Sequence, residues 1–188
     1  MKRICVFCGA RPGKGDLYEI AAIRLGTVLA ERKLDLVYGG SKVGLMGAVA
    51  NAALQNGGNV IGVMPQSLAD KEIQHTALTE LHVVSSMFER KAMMAKLSDG
   101  FIAMPGGFGT LDEYVEMLTW TQLGFHDKPS ALLNVNGFFD KMLGFFEHQI
   151  QEGFIEPRQR GMLLVEADPE KLLRQMAAFK PPVARWEK

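Results

Sequence analysis

The sequence predicts an α/β protein, a single Rossmann-like three-layer domain over residues 1–188 with a central parallel sheet of about seven strands. Three observations predict it. Short apolar runs rich in β-branched residues alternate with longer helical patterns from end to end. The connections between them are short. No linker, internal repeat or composition break divides the chain. Strand, helix, strand, repeated in this way, is the sequence form of a parallel sheet covered on both faces.

The elements follow in order. Residues 4–8 read as a first strand, and 17–32 as a helix carrying Ile20, Ile23, Leu25, Val28 and Leu29. Residues 36–38 form a second strand that runs into Gly39-Gly40, followed by a small-residue helix over 45–55. A third strand, 60–64, is stopped by Pro65, and 81–84 is a fourth. The helix 87–97 is introduced by Ser86-x-x-Glu89, a capping-box pattern. Strand 101–104 and helix 110–123 come next, then strand 131–133 and a helix over 138–151 opened by Asn136-Gly137. Strand 163–165 and a helix from Pro169, capped by Asp168, close the fold. Residues 66–79 are the most polar stretch and are expected to form a mobile flap. The tail from Lys180, with Pro181-Pro182, is expected to be loose.

Composition excludes several classes. Of 188 residues, 47% are hydrophobic and 22% charged, ordinary globular usage that argues against disorder. Lys plus Arg (21) equals Asp plus Glu (21), so no bulk charge favours nucleic acid or a membrane surface as partner. The apolar stretch after Lys2-Arg3 ends at Gly9, too short for a signal-peptide core, and no stretch approaches a transmembrane span. Cys5 and Cys8 form C-x-x-C, yet a three-residue offset on a strand puts them on opposite faces, so two buried structural thiols are expected in a reducing, cytoplasmic setting. The four histidines are scattered without metal-ligand spacing, so no metal site is expected.

In parallel sheets of this kind ligands sit beyond the carboxyl ends of the strands. The most informative loop there is Pro105-Gly106-Gly107-Phe108-Gly109-Thr110-Leu111-Asp112-Glu113, between a strand and a helix. Its glycines let the backbone approach a ligand, and a helix start offers free N–H groups and a positive dipole end, which together suit a phosphate. The Gly-Lys-[Ser/Thr] ending of a P-loop is missing. A bland reading competes: Thr110-x-x-Glu113 is by itself a capping box. A second glycine loop, Gly39-Gly40-Ser41-Lys42-Val43-Gly44-Leu45-Met46-Gly47, either packs its helix on the sheet or forms another wall of the pocket. The loop Cys8-Gly9-Ala10-Arg11-Pro12-Gly13 has the same placement. No acidic residue ends the second strand, so a dinucleotide-dependent oxidoreductase is disfavoured. Arg90 and Lys91 are adjacent on a helix and point about 100° apart, so at most one faces a given pocket.

These residues also carry a family resemblance. The set Cys8-Gly9, Gly39-Gly40-x-x-x-Gly44-Leu45-Met46-Gly47, Arg90-Lys91-x-x-Met94 and Pro105-Gly106-Gly107-x-Gly109-Thr110-x-x-Glu113 resembles the Lonely Guy (LOG) family of cytokinin riboside 5′-monophosphate phosphoribohydrolases. Trp120-Thr121-Gln122-Leu123-Gly124-x-His126-x-Lys128-Pro129 and Asn134-Val135-x-Gly137-Phe138-Phe139 extend the likeness. One departure is Ala10-Arg11 after Cys8-Gly9, where the family commonly has serine. The resemblance implies cleavage of the N-glycosidic bond of an adenine-type nucleoside 5′-monophosphate, giving free base and ribose 5-phosphate, and at least a homodimer. It implies Glu113 and Arg90 as catalytic residues. It implies Gly106, Gly107, Gly109 and Thr110 as holders of the phosphate, helped by Gly40, Gly44 and Lys91. An older lysine decarboxylase label in the family gains nothing here, because no residue set for a pyridoxal group is apparent; no cofactor is expected.

The chemistry suits these residues. Glycosidic cleavage builds positive charge on the ribose, which a nearby carboxylate stabilises. Glu113, one turn into a helix, is expected to be held in its ionised form by the helix amino end. No residue is assigned as general acid for the departing base. Met87 and Phe88 read either as apolar contacts for the base or as packing. The alternative from another class is a non-catalytic nucleotide or phosphometabolite binder; a carboxylate beside a bound phosphate would only repel it, which sets Glu113 as the discriminating residue.

Overall fold

The structure is a computed structural model and describes residues 1–71 and 73–182. The rest of the expected loose tail, 183–188, and Glu72 of the expected flap lie outside the described residues.

Seven strands form one sheet: β1 (Arg3–Phe7), β2 (Asp35–Tyr38), β3 (Val60–Pro65), β4 (Glu80–Val84), β5 (Gly100–Ala103), β6 (Ser130–Leu133) and β7 (Leu164–Glu166). Every neighbouring pair is parallel, in the order β4-β3-β2-β1-β5-β6-β7. The main helices are α1 (Leu17–Glu31), α2 (Gly44–Gln55), α4 (Met87–Leu97), α5 (Phe108–Gln122), α6 (Asp140–Gln151) and α7 (Pro169–Ala178), with a single-turn α3 (Gln66–Ala69).

The central strands are apolar without alternation because both faces are covered. On one face Ile4, Val6, Leu36 and Ile102 meet Leu25 and Leu29 of α1, Val49 of α2 and Leu172 of α7. On the other, Cys5, Phe7, Phe101 and Leu132 meet Met94 of α4, Tyr114 and Met117 of α5, and Phe146 of α6. Cys5 and Cys8 fall in these two opposite clusters and are free thiols, as the strand periodicity required. Burial pushes both thiols well above their ordinary pKa.

Local signals hold at some helix starts and shift at others. Asp168 accepts from Lys171 N at 3.0 Å, the expected cap of α7. Ser86 caps α4 by accepting from Glu89 N at 3.2 Å, but the Glu89 carboxylate turns to Ser85 N and Oγ instead of completing the box. Asn136 and Gly137 do not open α6 directly. Both have left-handed φ in a 3-10 turn, and the helix begins only at Asp140.

The polar segment 66–79 is tied down at its middle. Ile73 O accepts from Lys42 N (2.9 Å) and Ser41 Oγ (3.2 Å), and His75 N donates to Gly40 O at 2.9 Å. His75 is buried, with Nε2 2.9 Å from Asn51 Oδ1 and Nδ1 accepting from Ala77 N. The segment is thereby fastened to the second glycine loop.

Candidate active site

The strand order decides where the loops meet. From β1 the chain winds outward to β4, then returns to place β5 on the other side of β1. The carboxyl ends of β1 and β5 therefore form the switch point where such sheets bind ligands. Gly9 N donates to Pro105 O at 3.0 Å and Leu45 N to Gly9 O at 3.0 Å, so all three glycine loops are stitched together. Gly44, with φ of 57°, backs onto this junction: a Cβ there would lie 2.4 Å from the Ala10 carbonyl carbon.

The helix α5 begins earlier than the sequence suggested. Gly107 is its N-cap and supplies no side chain, so no capping box forms between Thr110 and Glu113. Leu111 N makes the first i→i−4 bond, to Gly107 O at 3.2 Å. The N–H groups of the first turn are left for an outside acceptor, the arrangement that takes a phosphate. A Cβ on Gly107 or Gly109 would meet nothing within 4 Å. Packing thus does not require these two glycines, whereas a ligand drawn onto the backbone would. Gly106 differs: a Cβ there would lie 2.1 Å from Thr110 Oγ1 and 2.9 Å from Gly9 N.

Beyond that helix start opens a cavity of about 280 Å³. Gly107, Gly109 and Thr110 line one part of it, Arg90 and Glu113 another, and Met46 and Leu68 supply apolar wall. Arg90 and Glu113 are 9% and 8% exposed. Arg90 Nη1 donates to Glu113 Oε1 at 2.7 Å, and Arg90 Nε donates to Val63 O at 3.1 Å. Burial raises the Glu113 pKa above the ordinary glutamate value, with the Arg90 guanidinium pulling the other way. The helix amino end favours the ionised form, but in a nearly closed site loss of water works against it, and Arg90 is the main group that opposes that loss.

The other expected residues divide. Lys91, one position on from Arg90, points elsewhere, with its Nζ 3.1 Å from both Asp112 Oδ2 and Glu116 Oε2 and no part in lining the cavity. Gly40 (φ of 76°) and Gly44 shape the second loop without lining the cavity. Met87 is 46% exposed at the start of α4, and neither it nor Phe88 lines the cavity. Arg11 lines an adjoining cavity of about 340 Å³ with Tyr18 and Phe138, which shares Gly9, Ala10 and Gly107 with the first. Sequence reasoning missed Leu68 and Met46 as wall residues. Leu68 carries no local signal, because only the fold brings α3 over the site.

The comparisons bear on the same segments. The family model described as possible lysine decarboxylase matches residues 46–176. A cytokinin riboside 5′-monophosphate phosphoribohydrolase of Rhodococcoides fascians is 50% identical over 182 residues, covering 96% of this chain and 90% of that protein. One of the Arabidopsis thaliana enzymes of that name is 47% identical over 180 residues, covering 96% of this chain and 83% of the other. Among solved structures, the molybdenum cofactor carrier protein of Chlamydomonas reinhardtii matches with a TM-score of 0.72 at 23% identity, over 94% of this chain and 98% of that one, a likeness of fold. With the glycine loops, the buried Arg90–Glu113 pair and these relatives together, the chain belongs to the Lonely Guy family.

Proposed function

We propose that this protein hydrolyses the N-glycosidic bond of adenine-type nucleoside 5′-monophosphates, AMP or its N6-prenylated relatives, to free base and ribose 5-phosphate. The observation that carries the reading is the ion pair of Arg90 and Glu113, buried at 2.7 Å beside an uncapped helix start. A pure binder gains nothing from a carboxylate there. The first turn of α5 holds the 5′-phosphate through backbone N–H groups, with Gly107 and Gly109 allowing close approach. The bond from C1′ to the base breaks with its electron pair leaving on the base. The Glu113 carboxylate faces the positive charge that develops on the ribose and takes a proton from the water whose oxygen joins C1′. The base gains one proton overall. Arg90 holds the carboxylate in place and keeps it ionised.

The protein is proposed to act as a homodimer in a reducing cytoplasm. Met87 and Phe88 of α4, Val115 of α5 and Phe145 of α6 are exposed apolar residues on the helix layer that covers one sheet face. An apolar groove of about 330 Å³ runs between α5 and α6 in that layer. Unpaired, buried Cys5 and Cys8 suit the reducing setting. No helix among the described residues is long and apolar enough to cross a membrane.

Incubation with AMP and with N6-isopentenyl-AMP should release free base and ribose 5-phosphate in equal amounts, with adenosine a poor substrate. Comparable turnover of adenosine and AMP would overturn the phosphate assignment. Tight nucleotide binding with no base released would leave the protein a binder.

A further inference from the structure

We infer that Gly39, at the carboxyl end of β2, is a positioning residue: its missing side chain is the seat that holds the Arg90 guanidinium against Glu113. The inference rests on the reading of the site given above. A Cβ built on Gly39 would lie 2.2 Å from Arg90 Nη2 and 3.4 Å from Arg90 Cζ. Gly39 is not among the glycines with positive φ, unlike its neighbour Gly40 at 76°, so its backbone is open to any residue. Its identity answers to Arg90 instead.

The guanidinium has little freedom to give way. It is a rigid plane, Nε is bonded to Val63 O at 3.1 Å, and Nη1 is bonded to Glu113 Oε1 at 2.7 Å. The third nitrogen, Nη2, lies over Gly39, and both residues line the cavity. Ordinary van der Waals contact begins at 3.4 Å, so an alanine methyl would displace the guanidinium by roughly 1 Å. The methyl meets the end of a side chain, with Met46 Sδ at 3.1 Å the next neighbour, and its three nearest atoms all belong to side chains. The fold can therefore absorb the change by moving Arg90, and the cost falls on the geometry of the ion pair.

Two consequences separate this role from simple packing. A displacement of about 1 Å in a reacting constellation costs on the order of a hundredfold in rate. Loosening Arg90 also removes the main influence that lowers the Glu113 pKa. The other charged groups that act on Glu113 are Lys91 from α4 and Asp112 from its own helix, and the Cys5 and Cys8 thiols of the first strand and its loop lie close enough to couple with it. None of these supplies one of the three atoms nearest a Cβ on Gly39.

The test compares wild type, Gly39→Ala, Arg90→Lys and the double variant. Each is measured for hydrolysis of AMP across pH, for melting, and for the Glu113 carboxyl titration by carbon-13 NMR. Gly39→Ala should melt within a few degrees of wild type, lose about a hundredfold in kcat with KM changed little, and shift both the acidic limb and the carboxyl titration upward. Lysine has no Nη2, so adding alanine at 39 to Arg90→Lys should cost nothing more. Wild-type kcat in Gly39→Ala, or losses that simply multiply in the double variant, would overturn the inference. If Gly39→Ala fails to fold, folding restored in the double variant supports it and failure of both overturns it. If wild type releases no base, the functional reading falls, while an unmoved Glu113 titration in Gly39→Ala separately overturns the positioning role.

Discussion

Replacing Glu113 by glutamine keeps the shape and the acceptor oxygen facing Arg90 Nη1 while removing the negative charge. Two opposing terms set the effect on stability. Unit charges ~4 Å apart attract by about 4 kcal/mol at the effective dielectric of protein sites, and that attraction is lost. Regained is the cost of keeping a carboxylate out of water, several kcal/mol for a buried ion. The raised pKa of Glu113 says that burial outweighs Arg90 in this balance. Stability should therefore change by no more than about 2 kcal/mol, a few degrees in Tm for a chain of this size. The rate should respond differently. Loss of an electrostatic contact made to the transition state costs about 10²–10³ in kcat, or about 2.7–4 kcal/mol. Release of adenine from AMP, followed by chromatography beside a melting curve and calorimetric binding of a slow analogue, reads both effects. Affinity should be unchanged or improved, since a carboxylate near a phosphate repels it. A Glu113→Gln variant that melts, binds and turns over like wild type would refute the catalytic assignment.

Gly109→Ala should fold at least as well as wild type, because its Cβ meets nothing and alanine is the better helix former; monophosphate affinity should fall tenfold or more by calorimetry, and unchanged affinity would remove the loop from the phosphate site. Gly106→Ala should instead lower Tm, since its Cβ would collide with Thr110 and Gly9 N. Burial first, then Lys42, lowers the His75 pKa. The unfolded chain thus binds the extra proton more readily, and stability should fall as pH drops from the ordinary histidine value toward the folded one. Urea melts of wild type and His75→Gln across that window should converge in pH dependence only if another group is responsible. Sedimentation at micromolar concentration should show a dimer, and a monomer would contradict the proposed assembly.

What the sequence determined by itself was local and periodic. Seven apolar runs with short helical connections imply seven parallel strands, because hydrophobic periodicity reports which faces each segment must bury. The three glycine loops were legible as sites because they follow strands, and Cys5 and Cys8 separated onto two faces because strand geometry alternates. The tertiary structure decided everything that depended on which strands are neighbours. Placing β5 beside β1 joins the Pro105 loop to Gly9, a pairing that no local pattern encodes. Thr110-x-x-Glu113 satisfies a capping pattern in sequence, yet Glu113 turns to Arg90, 23 residues away, since a buried guanidinium is a stronger partner than a helix amide. The choice between Arg90 and Lys91 was equally invisible. It rests on the rotation of α4 against β3, which presents Arg90 to Val63 O and the cavity and leaves Lys91 between Asp112 and Glu116.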